Sequence, residues 1–141
     1  GVLFVGDRSG TIFRVIDGRA AAFAEVPASV AAFHLAFGPD GTLVVAAPTV
    51  ASTDCLFGID PGGRVERLPW RMGRPQGVAF APSGTLYVAD SLAGDAGVFR
   101  LVPGSDPDRV LAGTGVLGVA FGPAGALAVA TRDSVYRFPA L

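Results

Sequence analysis

The stretch GVAFAPSGTLYVAD, residues 77 to 90, returns in altered form along the chain. Related stretches are HLAFGPDGTLVVAA from His34, GVAFGPAGALAVAT from Gly118, and a shorter GVLFVGD from Gly1. Four copies of one pattern indicate a repeat protein, in which each copy builds one supersecondary unit.

The repeat has the length and content of a four-stranded sheet. The leucine after the first turn falls at positions 3, 43, 86 and 127, with spacings of 40, 43 and 41 residues. Each unit has a short apolar stretch, a turn such as PSGT, an alternating stretch and two further strand-like stretches. A period in the low forties with such units is typical of a β-propeller blade. We therefore predict an all-β chain, a partial β-propeller of about three and a half four-stranded blades.

The chain is predicted to be a single β-propeller segment over 1–141. The expected blade parts are 1–33, 34–76, 77–117 and 118–141, holding three, four, four and three strands. Because both ends fall inside blades, we expect further blades in a longer parent chain. A ring of six blades at this period would need about 250 residues.

Composition excludes several classes of partner. The chain has eleven basic residues, all arginine, and twelve acidic residues, and no basic run marks a nucleic-acid surface.

Cys55 is alone, so no intrachain disulfide forms, and we interpret it as a small apolar residue near a strand start. The uncharged stretch 110–131 is long enough for a membrane helix, but its glycines, Pro123 and its match to the repeat predict strands and no membrane span.

Strand direction predicts which loops share a face. In an antiparallel blade, the loop after the second strand lies at the same end as the connection to the next blade. We call this end the loop face, and the opposite end, with turns such as PDGT and PSGT, the turn face. The loop face should collect 7–9, 29–34, 48–54, 70–76, 90–95, 114–117 and 132–133. Its loops are longer and more varied, which favours it as the binding face.

Residues that depart from the repeat are the candidate binding residues. His34 stands where the next two copies have glycine, at the mouth of an inner strand, and other polar side chains occupy the loop face. The predicted binding residues are His34, Arg74, Gln76, Asp90 and Arg132.

Each of these residues also has a structural interpretation, which stays open at this point. A lone histidine can fill space or bond a backbone carbonyl, and the arginines can belong to a solvated loop. Asp90 can accept hydrogen bonds from the backbone amides that follow it. Trp70 is expected to be a packing residue. No G-x-S-x-G, H-E-x-x-H, phosphate loop or cysteine pair is present, so no catalytic or metal-binding residue is assigned.

The motifs GVAFAPSGTLYVAD, AFGPDGTL and GRPQGVAF resemble the family of senescence marker protein, gluconolactonase and luciferin-regenerating enzyme, and also the related NHL-repeat propellers. The resemblance covers the whole chain. For the enzymatic branch it implies a six-bladed propeller that holds one divalent metal (Ca, Zn or Mn) in its central channel and hydrolyses sugar lactones. It also suggests an extracytoplasmic location.

The resemblance places metal ligands (a Glu, two Asn or similar residues, and an Asp) in part just before the Gly-Leu or Gly-Val that opens an inner strand. The matching positions here are Phe33, Gln76 and Leu117, and only Gln76 carries an oxygen ligand. The residues seen therefore favour a non-catalytic scaffold that binds a small molecule, glycan or protein on the loop face. The alternative is a metal-dependent sugar-lactone hydrolase whose ligands lie largely in other blades. A lyase that uses His34 is a third hypothesis.

Overall fold

The computed structural model describes residues 1–92 and 94–140, which form fourteen strands in four antiparallel sheets. No helix occurs among the residues so described. We call the sheets blades 1 to 4 in chain order. They hold three, four, four and three strands, and the predicted all-β architecture is confirmed.

The strands follow one another within each blade, so every neighbour in a sheet is also a neighbour in sequence. Blade 1 comprises β1 (Val2–Gly6), β2 (Thr11–Ile16) and β3 (Arg19–Glu25). Blade 2 comprises β4 (His34–Phe37), β5 (Leu43–Ala46), β6 (Asp54–Ile59) and β7 (Val65–Met72). Blade 3 comprises β8 (Pro75–Phe80), β9 (Leu86–Asp90), β10 (Gly97–Leu101) and β11 (Asp108–Ala112). Blade 4 comprises β12 (Val116–Phe121), β13 (Ala126–Thr131) and β14 (Val135–Ala140).

The turn between the first two strands has one conformation in three blades. Gly41, Gly84 and Gly125 have φ values of 84°, 85° and 80°, which a residue with a Cβ rarely adopts. Each donates its amide to the carbonyl three residues back, at 2.8 to 3.0 Å. The glycine of PDGT, PSGT and PAGA thus closes the same tight reversal in each copy.

The pleat of the second strand turns alternate side chains toward opposite neighbours. In β5, Leu43 and Val45 pack with Ile12 of blade 1, whereas Val44 and Ala46 pack with blade 3. Strand β9 repeats the pattern, because Leu86 and Val88 pack against blade 2 while Tyr87 and Ala89 pack against blade 4. The core therefore lies between the blades, in one apolar layer at each junction.

The uncharged stretch 110–131 forms the end of β11 and all of β12 and β13, as predicted. Over residues 1–92 and 94–140 there is no helix with the length and apolar character that crossing a membrane requires.

The inner strands of blades 3 and 4 approach each other through glycine. A Cβ placed on Gly77 would lie 2.6 Å from the Cα of Gly118 and 2.9 Å from the carbonyl oxygen of Leu117. These are backbone atoms and cannot rotate away. A Cβ on Gly118 would meet only the Ala130 Cβ, at 3.5 Å, which is an ordinary contact.

We expect Gly77→Ala to lower the free energy of unfolding by about 1–3 kcal/mol, since the added methyl must push two inner strands apart. Gly118→Ala occupies the same repeat position and is the matched control, with an expected change below about 1 kcal/mol. Urea unfolding of the natural chain, followed by circular dichroism, measures both. Equal losses for the two variants would contradict the close approach at Gly77.

Candidate functional site

The loops of the loop face bind one another at the junction of blades 1 and 2. The Ser29 amide donates to the Arg8 carbonyl at 3.0 Å, and the Ser29 hydroxyl donates to the Pro48 carbonyl at 2.7 Å. The Arg8 guanidinium donates to the Val30 carbonyl at 2.8 Å. The connection between the two blades is thus held between the loops that follow β1 and β5.

Asp90 is 2% exposed and fastens the corresponding connection between blades 2 and 3. One carboxylate oxygen accepts from the Gly73 amide at 2.7 Å, and the other accepts from the Arg74 and Leu92 amides at 2.8 and 2.9 Å. Three backbone donors directed at one carboxylate satisfy a buried charge. The geometry matches the turn-stabilising alternative for Asp90.

Asp54 has a similar structural role in blade 2. Its carboxylate is buried and accepts from the Thr49 amide at 3.1 Å and from the Thr49 hydroxyl at 2.7 Å. The two buried carboxylates at the loop ends of blades 2 and 3 are therefore both bonded within the protein.

Gln76 lies at an irregularity in the inner strand of blade 3. Strand β8 pairs Pro75 with Asp90 and Val78 with Val88, and the register shifts between these pairs. Bulges of this kind redirect side chains and are frequent next to sites. Gln76 is 9% exposed, and its amide nitrogen donates to the Ser91 hydroxyl at 3.4 Å.

His34 opens the inner strand of blade 2, opposite Ala46. Its side chain is half-buried, and this burial lowers the pKa of the imidazole below its ordinary value of 6.5. A neutral imidazole carries one donor and one acceptor, so His34 can offer both to a ligand.

Arg74 and Arg132 are exposed on the loop ends of blades 3 and 4. Among the residues that the structure describes, neither guanidinium has a hydrogen bond or an ion pair. Other arginines are engaged: Arg100 pairs with Asp108 and Arg109 with Asp95, both at 2.6 Å. The loop face therefore offers two guanidinium groups to a ligand.

The described residues do not by themselves fit a divalent cation. No group of three or more His, Cys, Asp or Glu side chains within 1–92 and 94–140 is placed to hold one. Of the three positions that the resemblance marks as ligands, only Gln76 carries an oxygen, and hard cations take six or more oxygen ligands. Cys55 is buried, and burial raises the pKa of its thiol, so the thiol stays protonated at neutral pH.

No protein-family model matches the chain, and no curated protein matches its sequence. Several solved structures, in contrast, match the chain. A gluconolactonase from Xanthomonas campestris superposes with a TM-score of 0.64 at 20% identity, covering 92% of this chain and 52% of that one. Luciferin-regenerating enzyme superposes with a TM-score of 0.63 at 18% identity, and the match covers 93% of this chain and 52% of that one. The third structure is a catalytically inactive His-to-Ala form of virginiamycin B lyase from Staphylococcus aureus, with quinupristin. It superposes with a TM-score of 0.67 at 14% identity, and the match covers 99% of this chain and 52% of that one.

The chain has the fold of part of a β-propeller. It spans about half the length of each of these propellers. Identities of this size inform on the fold and not on the activity. Two of the three neighbours carry the names of the family that the blade motifs resemble, so the resemblance is confirmed at the level of the propeller.

The propeller brings together three of the five predicted binding residues. Arg74, Gln76 and Asp90 meet at the loop end of blade 3, whereas His34 belongs to blade 2 and Arg132 to blade 4. Ser91 joins the first three, since its hydroxyl lies 3.4 Å from the Gln76 amide nitrogen and 3.4 Å from the Arg74 carbonyl. Ser91 was not among the predicted binding residues. Its only signal was its place directly after Asp90.

We expect Asp90→Asn to lower the free energy of unfolding by about 2–4 kcal/mol, because an amide has one acceptor oxygen for three backbone donors. Asp133→Asn is the control, since that carboxylate is exposed and bonds only the Thr131 hydroxyl in the described part of the chain, at 3.3 Å. Its expected change is within about 0.5 kcal/mol. Urea unfolding tests both variants, and an unchanged Asp90→Asn protein would contradict the capping role.

The burial of His34 predicts that the free energy of unfolding falls as the pH is lowered. The folded protein has the lower pKa, so the unfolded chain binds more protons once the pH falls below 6.5. Stability should be full above that value and decline as the pH falls toward the folded-state pKa. The measurement is the unfolding free energy of the natural chain minus that of His34→Gln, taken from pH 7.5 to about 4.5. A difference that does not vary with pH would contradict the effect of burial.

Proposed function

We propose that the chain is part of a ligand-binding β-propeller whose binding surface is the loop face, and that its ligand is a small molecule or glycan bearing a carboxylate. The observation that supports this most is the pair of available guanidinium groups, Arg74 and Arg132, on adjacent blades. A planar guanidinium donates two parallel hydrogen bonds to a carboxylate.

The acidic groups of this surface leave those arginines available. Asp54 and Asp90 are buried, and both carboxylates are occupied by groups of the protein: Asp54 by Thr49 of its own loop, and Asp90 mainly by the connection between blades 2 and 3. Asp95 pairs with Arg109. Asp7 accepts from the Ser9 hydroxyl at 2.5 Å, and Asp133 accepts from its own loop as well. The Gln76 amide and the neutral His34 imidazole lie at the inner ends of neighbouring blades and would bond ligand hydroxyls.

We further propose that additional blades complete the ring, with six as the expected total. Leu3 and Val5 of β1 face away from blade 2 and are 61% and 43% exposed. In blades 2 and 3 the equivalent positions are buried by the preceding blade. Another blade on this side would cover the same surface in blade 1 and extend the loop face around the channel.

A metal-dependent lactone hydrolase is the rival function, because a gluconolactonase is among the structural neighbours. The residues described here supply one neutral oxygen ligand, so the remaining blades would have to hold the cation. The residues of this chain therefore support the binding proposal more than this rival.

The binding proposal is tested with galacturonate and galactose, which differ in the carboxylate. We expect the natural full chain to bind galacturonate more tightly, and Arg74→Ala or Arg132→Ala to weaken that binding about tenfold while leaving galactose unaffected. Arg137→Ala, which removes an exposed arginine of outer strand β14, is the matched control and should bind like the parent. Isothermal calorimetry measures all four proteins.

Two results would overturn the proposal. One is equal affinity for the acid and the neutral sugar, with no effect of either arginine. The other is turnover of sugar lactones by the natural full chain that is abolished by chelator, which would establish the rival function.

A further inference from the structure

One repeat position governs how well each blade junction is filled. Strand β1 of blade 1 matches the second strand of the other blades, β5, β9 and β13. The position is the residue after the recurring leucine of these strands, and its side chain points toward the next blade. The four residues at this position are Phe4, Val44, Tyr87 and Ala128. They differ widely in volume, so the junctions cannot be packed alike.

At two junctions an aromatic ring fills the space near the turn face. Phe4 meets Phe37 of the next blade edge to face, with ring centroids 5.2 Å apart and planes at 73°. Tyr87 meets Phe121 of the next blade at 4.9 Å and 61°. Phe37 and Phe121 end the Ala-Phe pair of their inner strands, so both contacts join the same two repeat positions.

The junction between blades 2 and 3 lacks this ring. Val44 takes the place of Phe4 and Tyr87, and it faces Phe80, the equivalent of Phe37 and Phe121. Compared with the junction of blades 1 and 2, a second aromatic group is missing as well. Phe23, which contacts Phe4 at 5.1 Å, has Leu68 as its counterpart in blade 2.

The space so left is a groove of about 450 Å³ on the turn face. Its apolar wall is formed by Val44, Leu68, Trp70, Phe80 and Leu101. The Trp70 indole nitrogen donates to the Ser105 carbonyl at 3.0 Å, which fixes the ring at the outer end of the groove.

The charged groups that line the groove are both acidic. Asp40 accepts from the amide and the hydroxyl of Thr42, each at 3.0 Å, and these bonds lower the pKa of its carboxyl. Glu66 is exposed and has no hydrogen bond or ion pair among the described residues. Arg64 lies in an adjoining hollow together with Asp60 and Glu66. The rim therefore carries negative charge that a cation would complement.

We propose that this groove binds a small molecule made of one aromatic ring and an alkylammonium group. The ring lies against Phe80 in the place that Phe4 and Tyr87 occupy at the neighbouring junctions. The ammonium group reaches Glu66 and Asp40 at the rim. This site is on the turn face and does not depend on the loop-face function proposed above.

Phenethylamine is the probe, and Trp70 is the reporter. Titration into the natural full chain should change tryptophan fluorescence with a Kd of about 1–10 mM, as expected for a ligand of nine heavy atoms. Trp70→Phe should abolish the signal. Cyclohexylethylamine, which lacks the aromatic ring, and 3-phenylpropionate, which reverses the charge, should each bind at least about threefold more weakly.

Val44→Phe places a ring of the protein's own in the groove, and we expect it to weaken phenethylamine binding at least tenfold. Ala128→Phe adds the same ring at the same repeat position of blade 4 and is the matched control, with affinity unchanged. Glu66→Gln should weaken phenethylamine binding about threefold and leave benzyl alcohol unaffected. Because Glu66 is exposed, this variant keeps its fold and carries the test if Val44→Phe does not fold.

The proposal is overturned if fluorescence does not saturate by about 50 mM phenethylamine, if the signal survives Trp70→Phe, or if neither Val44→Phe nor Glu66→Gln changes the affinity. Equal binding of cyclohexylethylamine would refute the aromatic part of it, and equal binding of 3-phenylpropionate would refute the ionic part.

Discussion

The structure depends on one requirement, that each blade bury both faces of its sheet against its two neighbours. A β-sheet of this composition is apolar on both sides, and a single four-stranded sheet cannot cover itself. The second strand carries most of this burial, because its alternate side chains enter two different junctions. Inner strands must also come close, and at Gly77 the approach leaves no room for a side chain. The turns, loops and candidate sites are all positioned by this stacking.

The sequence predicted the fold well because the repeat exposes it several times over. Copies such as HLAFGPDGTLVVAA and GVAFAPSGTLYVAD agree on the strand, the turn glycine and the next strand, so a chance pattern in one copy is corrected by the others. Local detail was less predictable. The shift of register between Pro75 and Val78 changes where Gln76 points, and it depends on how two strands pair. That pairing cannot be predicted from the residues of one copy of the repeat.

The candidate sites were predictable only in part, for a physical reason. Sequence can place polar residues such as Arg74 and Asp90 at one end of a blade, but it does not tell which of them already has partners. Asp90 is bound by three backbone amides, while the guanidinium of Arg74 is available. The groove between blades 2 and 3 had a signal in the sequence, the change from Phe4 to Val44 to Tyr87. That change can be interpreted only when the structure shows that all three side chains point into a junction between blades.

The underfilled junction between blades 2 and 3 also bears on how such chains diversify. Each blade contacts only the blades beside it, so packing at one junction is nearly independent of packing at the next. A change of volume at a single position can therefore open a cavity while the other junctions keep their fit. Because the blades repeat, the same junction position occurs several times in one polypeptide, and each occurrence can change in volume separately. New ligands can be acquired at one junction at a time, while the remaining junctions preserve the architecture.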